Sequence, residues 1–417
     1  MNRRRLVAGL VRMWRNEIAY LQPTGLFNLG YLRRSLPPEQ ALHRALWWRN
    51  RNRLPRLLWL ALQVLRILHW RWLGYRRAVA AAVLAFSERI ARDEGIPVAE
   101  QRDRIAVWAR QWCIMPDEAY AFGLYRKGRD GLLRLYPDEQ LSFHRVLNAN
   151  RGACKADYRT VQDKQYLADR LSELGIPVAA TLNAKQGGFE QLESALAAMP
   201  AVFCKLRYGS RGESAFRVES SADGLIGLTL AGKLLDTEAG VLAAWSELAG
   251  KGPVLIQPYL HNHPLLQGLS PEADSITLRV ITRMQGNAAS VWTGLLYVQA
   301  PGDAVDRGYW LLKIDADSGQ VVDAFGLWPT SEGGVDNPAQ LRMLDGQAMP
   351  YWPDIARFSA QAHAELPRLW AVAWDWIVTP EGPVLLEGNS GWDIMPLQEL
   401  GVDFVKIGCD MIGKPHQ

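Results

Sequence analysis

Ala371-Val-Ala-Trp-Asp375-Trp-Ile-Val-Thr-Pro-Glu-Gly-Pro-Val-Leu-Leu-Glu387-Gly-Asn389 contains two apolar runs divided by Thr379-Pro380-Glu381-Gly382. Proline presets the entry to a turn and glycine supplies the backbone freedom to leave it, so the segment reads as a β-hairpin. Centred on Glu381, the hairpin sets Asp375 opposite Glu387. Directly opposed positions lie roughly 4.5 to 5.5 Å apart at Cβ, and like charges there are destabilising unless something positive sits between them. Asn389, two residues beyond Glu387, faces the same side. Two carboxylates and a carboxamide converging on one side of a sheet form an all-oxygen set, which suits Mg²⁺ carried in with a phosphate substrate. A one-residue slip in register would instead turn one carboxylate to solvent.

A second constellation is Ala201-Val-Phe-Cys-Lys205-Leu-Arg-Tyr-Gly209-Ser210-Arg-Gly212-Glu-Ser-Ala-Phe-Arg217-Val218. A strand delivers a lysine, a glycine-rich loop follows, and the chain returns toward another strand. Glycines admit backbone N–H groups close to phosphate oxygens, and the lysine neutralises charge. Alone, such a loop is as readily a plain turn. In Ser275-Ile-Thr-Leu-Arg-Val-Ile, alternation puts Ile276, Leu278 and Val280 on one face and Thr277 and Arg279 on the other. Arg279 is the candidate for a catalytic electrostatic role, gripping a transferring phosphoryl group. A salt bridge within the sheet is the alternative. Gly227 to Lys233 and Gly408 to Lys414 match P-loop spacing, but Leu234 and Pro415 follow the lysines where Ser or Thr should hold magnesium. The seven histidines offer no pair at metal-binding helical spacing, and no Gly-x-Ser-x-Gly elbow occurs.

The chain has 417 residues, 48% of them hydrophobic, enough for two or three cores. Four cysteines, at 113, 154, 204 and 409, have neither zinc spacing nor the density of a secreted disulfide framework, and read as free thiols in a cytoplasmic protein. No apolar stretch of signal-peptide length follows Met-Asn-Arg-Arg-Arg-Leu, which disfavours export. The net charge of +4 hides a division: residues 1–80 hold sixteen arginines, no lysine and two acids, Glu17 and Glu39, a balance of +14 that leaves −10 for the remainder. The same segment holds six of the seventeen tryptophans. Arginine interleaved with tryptophan suits an anionic membrane surface, where the cation meets phosphate and the indole takes the boundary. No stretch has the roughly 20 apolar residues of a span. The segment therefore reads either as an interfacial helix pair at the inner face of the membrane or as an ordinary amphipathic helix packed on the protein. Nucleic acid is disfavoured, because no reading motif is present and the acidic remainder would repel a polyanion.

Along the chain, residues 1–150 read as a helical region and 151–417 as an α+β domain, with a phosphate-loop part at about 178–255 and a metal-site part at about 256–410. A helix through Lys164 to Leu174 stops at Gly175, and Ile176-Pro177-Val178 starts an extended piece. Strands are expected at 201–206, 254–259, 275–282, 290–298, 372–378 and 383–387, with helices near 190–199, 238–249 and 356–366.

Together these blocks resemble the ATP-grasp superfamily, in which two α+β subdomains hold ATP between them. Asp163-Lys164 looks like the family's first phosphate-contacting lysine, and Lys205 with Gly209-Ser210-Arg-Gly212 like its second lysine and phosphate loop. Leu255-Ile-Gln257-Pro258-Tyr259-Leu260 resembles the strand and hinge that hold adenine, with backbone groups at 258 to 260 at the base edge. Asp375, Glu387 and Asn389 match the metal triad in type, order and approximate spacing. Within the superfamily the chain looks most like the sugar-transfer-associated group, related to α-L-glutamate-ligase-like proteins, through Gln257-Pro-Tyr-Leu-His-Asn262-His263-Pro264, Ser275-Ile-Thr277-Leu-Arg279-Val-Ile-Thr282 and Glu387-Gly-Asn389. His263 would contact ribose or substrate. Two departures stand out: Gln257 replaces a common acid, and Ala324-Phe-Gly-Leu-Trp328-Pro329 stands near where a His-Pro pair is expected.

The resemblance implies an ATP-dependent ligase using Mg²⁺, with Mn²⁺ as an alternative ion. A substrate carboxylate, from a small molecule or glycan precursor, would attack the γ-phosphate, and an amine would displace phosphate from the acyl phosphate. Closure of the 208–214 loop would exclude water, and the setting implied is cell-surface polysaccharide biosynthesis. A phosphotransferase acting on an alcohol and a non-catalytic membrane-associated scaffold are the other classes.

Overall fold

The computed structural model describes residues 26–49, 55–184, 188–209, 215–221, 224–229, 233–269, 276–299, 309–327, 341 and 343–412. The chain divides into two compact units, one of residues 1–150, 331–333 and 393–417 and the other of residues 151–330 and 334–392.

The first unit begins with α1 (Pro38–Arg49), α2 (Arg56–His69) and α3 (Tyr75–Glu94). Trp70–Gly74 joins α2 to α3 as a π-turn with helical backbone on both sides. Gly74 is needed there, because a Cβ would stand 2.9 Å from the Trp70 ring. α3 ends where Gly95 enters the left-handed region at φ +69°. α4 (Val98–Trp112), α5 (Pro116–Ala121) and α6 (Pro137–Asn150) follow. Trp47, Trp59 and Trp70 are buried with Ile105, Ala109 and Tyr120, and the Trp70 indole donates to Ala109 O at 2.7 Å. These three tryptophans thus belong to the core, while Trp72 stays exposed. Trp14 lies outside the described residues.

The second unit opens with α7 (Lys155–Gln162) and α8 (Lys164–Glu173). Gly175, at φ +73°, closes that helix, and residues 177–179 run beside Leu385 through two backbone hydrogen bonds. The remaining elements are β1 (Leu182–Ala184), α9 (Phe189–Ala198), β2 (Ala201–Leu206), β3 (Phe216–Ser221), β4 (Gly224–Thr229), β5 (Leu234–Leu235), α10 (Glu238–Lys251) and β6 (Val254–Pro258). After these come α11 (Pro264–Gln267), β7 (Thr277–Gln285), β8 (Ala288–Gln299), β9 (Tyr309–Ile314), β10 (Val321–Leu327), α12 (Trp352–Ala364), β11 (Ala371–Thr379) and β12 (Gly382–Asn389). Two helices that belong to the first unit close the chain: α13 (Met395–Glu399) and α14 (Phe404–Ile412).

The second unit is α+β and holds two antiparallel six-stranded sheets, ordered β1-β6-β2-β3-β4-β5 and β10-β9-β8-β7-β11-β12. One core packs Leu192, Val202, Phe216, Val241, Trp245 and Ile256 under the first sheet. The other buries Leu278, Val280, Trp374, Trp376 and Leu385 with Leu167 and Ile355. All four cysteines are free thiols. Of the two P-loop-like stretches, Gly227 lies in β4 and Gly408 in α14. Gly408 packs where a Cβ would meet Leu42 at 2.7 Å and Phe143 at 2.9 Å. Gly227 and Gly408 thus serve sheet and helix packing, while Gly232 and Gly413 lie outside the described residues.

Candidate functional site

β11 lies between β7 and β12, and its centre carries the charges. Asp375 pairs with Arg279 on one side and Glu387 on the other. The Arg279 guanidinium forks onto Asp375, Nε to Oδ1 at 2.7 Å and Nη2 to Oδ2 at 2.9 Å, and sits over the Tyr297 ring, 5.1 Å from its centroid. Asn389 Nδ2 donates to Asp375 Oδ2 at 3.1 Å and Glu387 Oε1 at 3.3 Å. Trp374 and Trp376 point to the opposite face, where their indoles donate to Thr282 Oγ1 and Ser359 Oγ. Alternation therefore divides one strand between core and site.

The hairpin is not centred on Glu381. Thr379 pairs with Gly382, so the turn is the two residues Pro380-Glu381, and the register shifts between Asp375 and Trp376. Trp376 pairs with Leu385 and Asp375 with Glu387, leaving Leu386 as the extra residue of a bulge. Pro383 and Leu385 are buried, and the next buried position is Gly388. Strict alternation from Leu385 would have put Glu387 on the core face. The bulge is what turns it to face Asp375.

Lys164 and Lys205 reach the same place from other elements. Lys164, at the first turn of α8, donates Nζ to Gly209 O at 2.6 Å and stands 3.5 Å from Glu387 Oε2. Lys205, on β2, is 9% exposed, and its side chain makes no hydrogen bond or ion pair with another described residue. Asp163 anchors the strand end beyond Lys205. It accepts Arg207 Nε and Nη2 at 2.7 Å each and Tyr208 Oη at 2.7 Å, and caps α8 through Tyr166 N. Ser210, Gly212 and the rest of the phosphate loop after Gly209 lie outside the described residues, as do Ser275, Trp328 and Pro329.

Burial and neighbours pull the charges in different directions. Burial depresses the Lys205 ammonium below the usual lysine range, against the pull of Glu387 and Asp375. For Glu387, burial alone would raise the carboxyl, but Lys205, Lys164 and the Asn389 amide together hold it below the usual range. Burial raises Asp375, with Glu387 adding to the effect, while Arg279 acts against it. Burial works against the Arg279 charge as well, yet Asp375 outweighs it and holds the guanidinium more firmly protonated. The fork's short, two-point geometry is that of an ion pair.

The hinge segment is placed separately. Gln257 on β6 is buried and donates Nε2 to Thr181 Oγ1 at 2.8 Å. Pro258 has no N–H, and Tyr259 N donates to Ala201 O, so Leu260 N–H is the donor of this stretch that bonds no described residue. Arg217 covers the Tyr259 ring at 4.6 Å. His263 caps α11, its Nδ1 accepting Leu265 N at 3.2 Å, and its own N–H bonds Val378 O. Its ring is thus committed to the chain rather than brought to the carboxylates.

Sequence reasoning passed over Asp163, Arg207 and Tyr208 as a unit, and it gave Asn262 no role of its own. The buried Asn262 amide accepts Ile276 N at 2.7 Å and donates to Ile276 O at 2.9 Å, tying the hinge to the start of β7. A signal existed in both: an acid immediately before Lys164, and an asparagine in a loop. Among the described residues no group of three or more His, Cys, Asp or Glu is placed to hold an ion; the candidate set is two carboxylates and one carboxamide.

The family model described as sugar-transfer associated ATP-grasp matches residues 145–401. The chain belongs to that family. The ATP-grasp fold accounts for the two antiparallel sheets of the second unit. No curated protein matches this ATP-grasp chain. Among solved structures, the ATP-grasp ligase PsnB complexed with minimal precursor is similar at 13% identity and a TM-score of 0.37, covering 62% of this chain and 61% of PsnB. VanG D-Ala:D-Ser ligase from Enterococcus faecalis matches at 14% identity and 0.37, covering 62% of each chain. A biotin carboxylase ATP complex from Campylobacter jejuni matches at 14% and 0.38, covering 63% of this chain and 48% of that one. The matched region thus spans less than two thirds of each of these proteins.

Proposed function

We propose that this chain is an ADP-forming ligase that binds ATP with Mg²⁺, or with Mn²⁺ in its place, activates a carboxylate as an acyl phosphate and joins it to an amine or similar nucleophile. The observation that carries the reading is Lys205, a buried ammonium with no direct partner among the described residues, in the field of two opposed carboxylates. Buried charges are ordinarily paired, so a lysine kept this way is suited to a polyanionic ligand. Lys164, Lys205 and Arg279 exceed Asp375 and Glu387 by one positive charge. A divalent cation alone would worsen that balance, whereas a cation carried on nucleotide phosphates would not.

The donor set fits such an ion. Asp375, Glu387 and Asn389 carry hard oxygen donors that would hold Mg²⁺, and the chemistry supplied there would be neutralisation of phosphate charge. The chain's own side chains do the rest. Lys164 and Lys205 would offset phosphate charge, Arg279 would stabilise the transferring phosphoryl group from its fork on Asp375, and Asn389 holds the two carboxylates in register. Gly209, Ser210 and Gly212 would cover the phosphates. At the hinge, Leu260 N–H would meet the base edge beside Gln257, Pro258 and Tyr259, and His263 would contribute a ribose or substrate contact through its Nε2 side. The family's description as sugar-transfer associated supports a role in cell-surface polysaccharide biosynthesis; small-molecule or glycan-precursor substrates would fit that role, and the free cysteines suit a cytoplasmic setting. Peripheral contact of residues 1–80 with an anionic membrane is part of the same reading.

Calorimetry of ATP with and without Mg²⁺, on wild type and Glu387→Ala, tests the site. Magnesium-dependent binding weakened at least tenfold by the substitution is the expected result. A folded wild type that binds no nucleotide, or binds it equally well without Glu387, overturns the assignment. Product analysis separates the chemistry: a stable phosphoester formed with no amine requirement would select the phosphotransferase instead.

A further inference from the structure

We propose that the outer face of α2 and the π-turn after it is the surface through which this chain rests on an anionic bilayer. The inference narrows the peripheral contact proposed above to one helical face. At 3.6 residues per turn, Trp59, Gln63, Ile67 and Trp70 share one side of the helix, and all four are buried. The opposite side carries Leu57, Val64, Leu65, Leu68, Trp72 and Leu73, between 52% and 82% exposed. A surface helix ordinarily turns charged or polar residues outward, and one that is apolar all round is ordinarily covered. Here the outward side is the apolar one, and exposed apolar patches of this extent mark interaction sites.

Charge decides between occupants. From residue 40 to residue 87 the chain holds nine arginines and no aspartate or glutamate, and Arg76 and Arg77, just beyond the apolar face, are exposed. A second copy of this chain would bring arginines against arginines. Residues 1–25 would do the same, with five arginines against the single acid Glu17. An anionic lipid surface matches both properties: its acyl boundary takes leucine and tryptophan, and its headgroups take guanidinium. Among the described residues no helix is long and apolar enough to cross a membrane, so the face would lie in the interface, sunk roughly 5 to 10 Å.

The test uses the full-length protein with vesicles of equal parts phosphatidylglycerol and phosphatidylcholine, against vesicles of phosphatidylcholine alone. Wild type should co-sediment with the anionic vesicles only, and less so as salt rises. Leu65→Glu/Leu68→Glu/Trp72→Glu should lower that partition at least tenfold, with the far-ultraviolet circular dichroism and ATP affinity of wild type. All three residues are exposed, so the fold does not depend on them. Wild-type binding that the triple variant retains would place the contact elsewhere and overturn this inference alone. Absence of wild-type binding would overturn the peripheral contact as well. A concentration-dependent dimer that the variant dissociates, without vesicle binding, would make the face a self-contact.

Discussion

At the scale of single residues, Lys205 and Asp163 separate cost from use. The Lys205 ammonium is desolvated and bonds no described residue. Burying a charge without a direct partner costs free energy, and relief of that cost offsets the attraction to Glu387 and Asp375 that is lost with it. Lys205→Met should therefore change stability without nucleotide by less than about 1 kcal/mol, while ATP affinity falls at least tenfold. Guanidinium unfolding and calorimetry on one preparation read both, and a large stability loss would make Lys205 structural. Asp163 behaves oppositely. Burial would raise its carboxyl, but Arg207, Tyr208 and the Tyr166 amide hold it below the ordinary aspartate range. Its stabilisation is therefore complete above the unfolded value near pH 4 and is lost as pH falls through the lower native value. Asp163→Asn should cost about 1 kcal/mol at neutral pH, a charged hydrogen-bond value discounted for partial exposure. The gap from wild type should close in acid, which urea unfolding at pH 7 and pH 3 would measure.

At the scale of elements, the hairpin shows what periodicity conveys and what it misses. Pro380 and Gly382 mark the turn, and apolar runs mark β11 and β12, because those signals are local. The bulge at Leu386 has no such mark: no glycine or proline stands at that position, and only the pairing of Trp376 with Leu385 reveals it. The Asp163–Arg207 fork joins residues 44 apart, a separation at which no pattern in the chain reports contact. Strands β9 and β10 and the helix α7 were missed too, each flanked by polar segments that blur the period. Gly388 looks incidental in sequence, but a Cβ there would stand 2.7 Å from the Trp374 ring, between Glu387 and Asn389. Gly388→Ala should cost about 1 to 3 kcal/mol by overpacking and weaken magnesium-dependent ATP binding by moving both neighbours. Equal ATP affinity in the variant would show that the bulge, not this close approach, sets the site.

At the scale of the whole molecule, the division of charge along the chain was legible, and so was a helical N-terminal region ahead of an α+β fold. The return of residues 393–412 to the first unit was not, because α14 reads as any amphipathic helix until Phe404 and Gly408 meet Phe143 and Leu42. That unit also buries an ion pair that sequence gave no reason to expect. His43 Nδ1 lies 2.8 Å from Glu139 Oε1 and Nε2 lies 2.9 Å from Leu132 O, with both side chains fully buried. Both partners are acceptors, so both ring nitrogens donate and the imidazole is charged. Burial opposes that charge, but Glu139 outweighs it and raises the histidine above its ordinary value of about 6.5. A group with a raised native pKa contributes stability that is complete below its unfolded value and is lost as pH rises through the native one. The bonds from α1 to α6 should accordingly loosen on the alkaline side of neutrality. His43→Leu, which leaves Glu139 buried without its cation, should cost about 3 to 5 kcal/mol near pH 6, and the difference from wild type should shrink as pH rises. Hydrogen exchange of α1 and α6 amides, corrected for the intrinsic pH dependence of exchange, reads this unit directly. A wild-type advantage that stays constant from pH 6 to pH 10 would mean that the pair is held by packing and carries no charge.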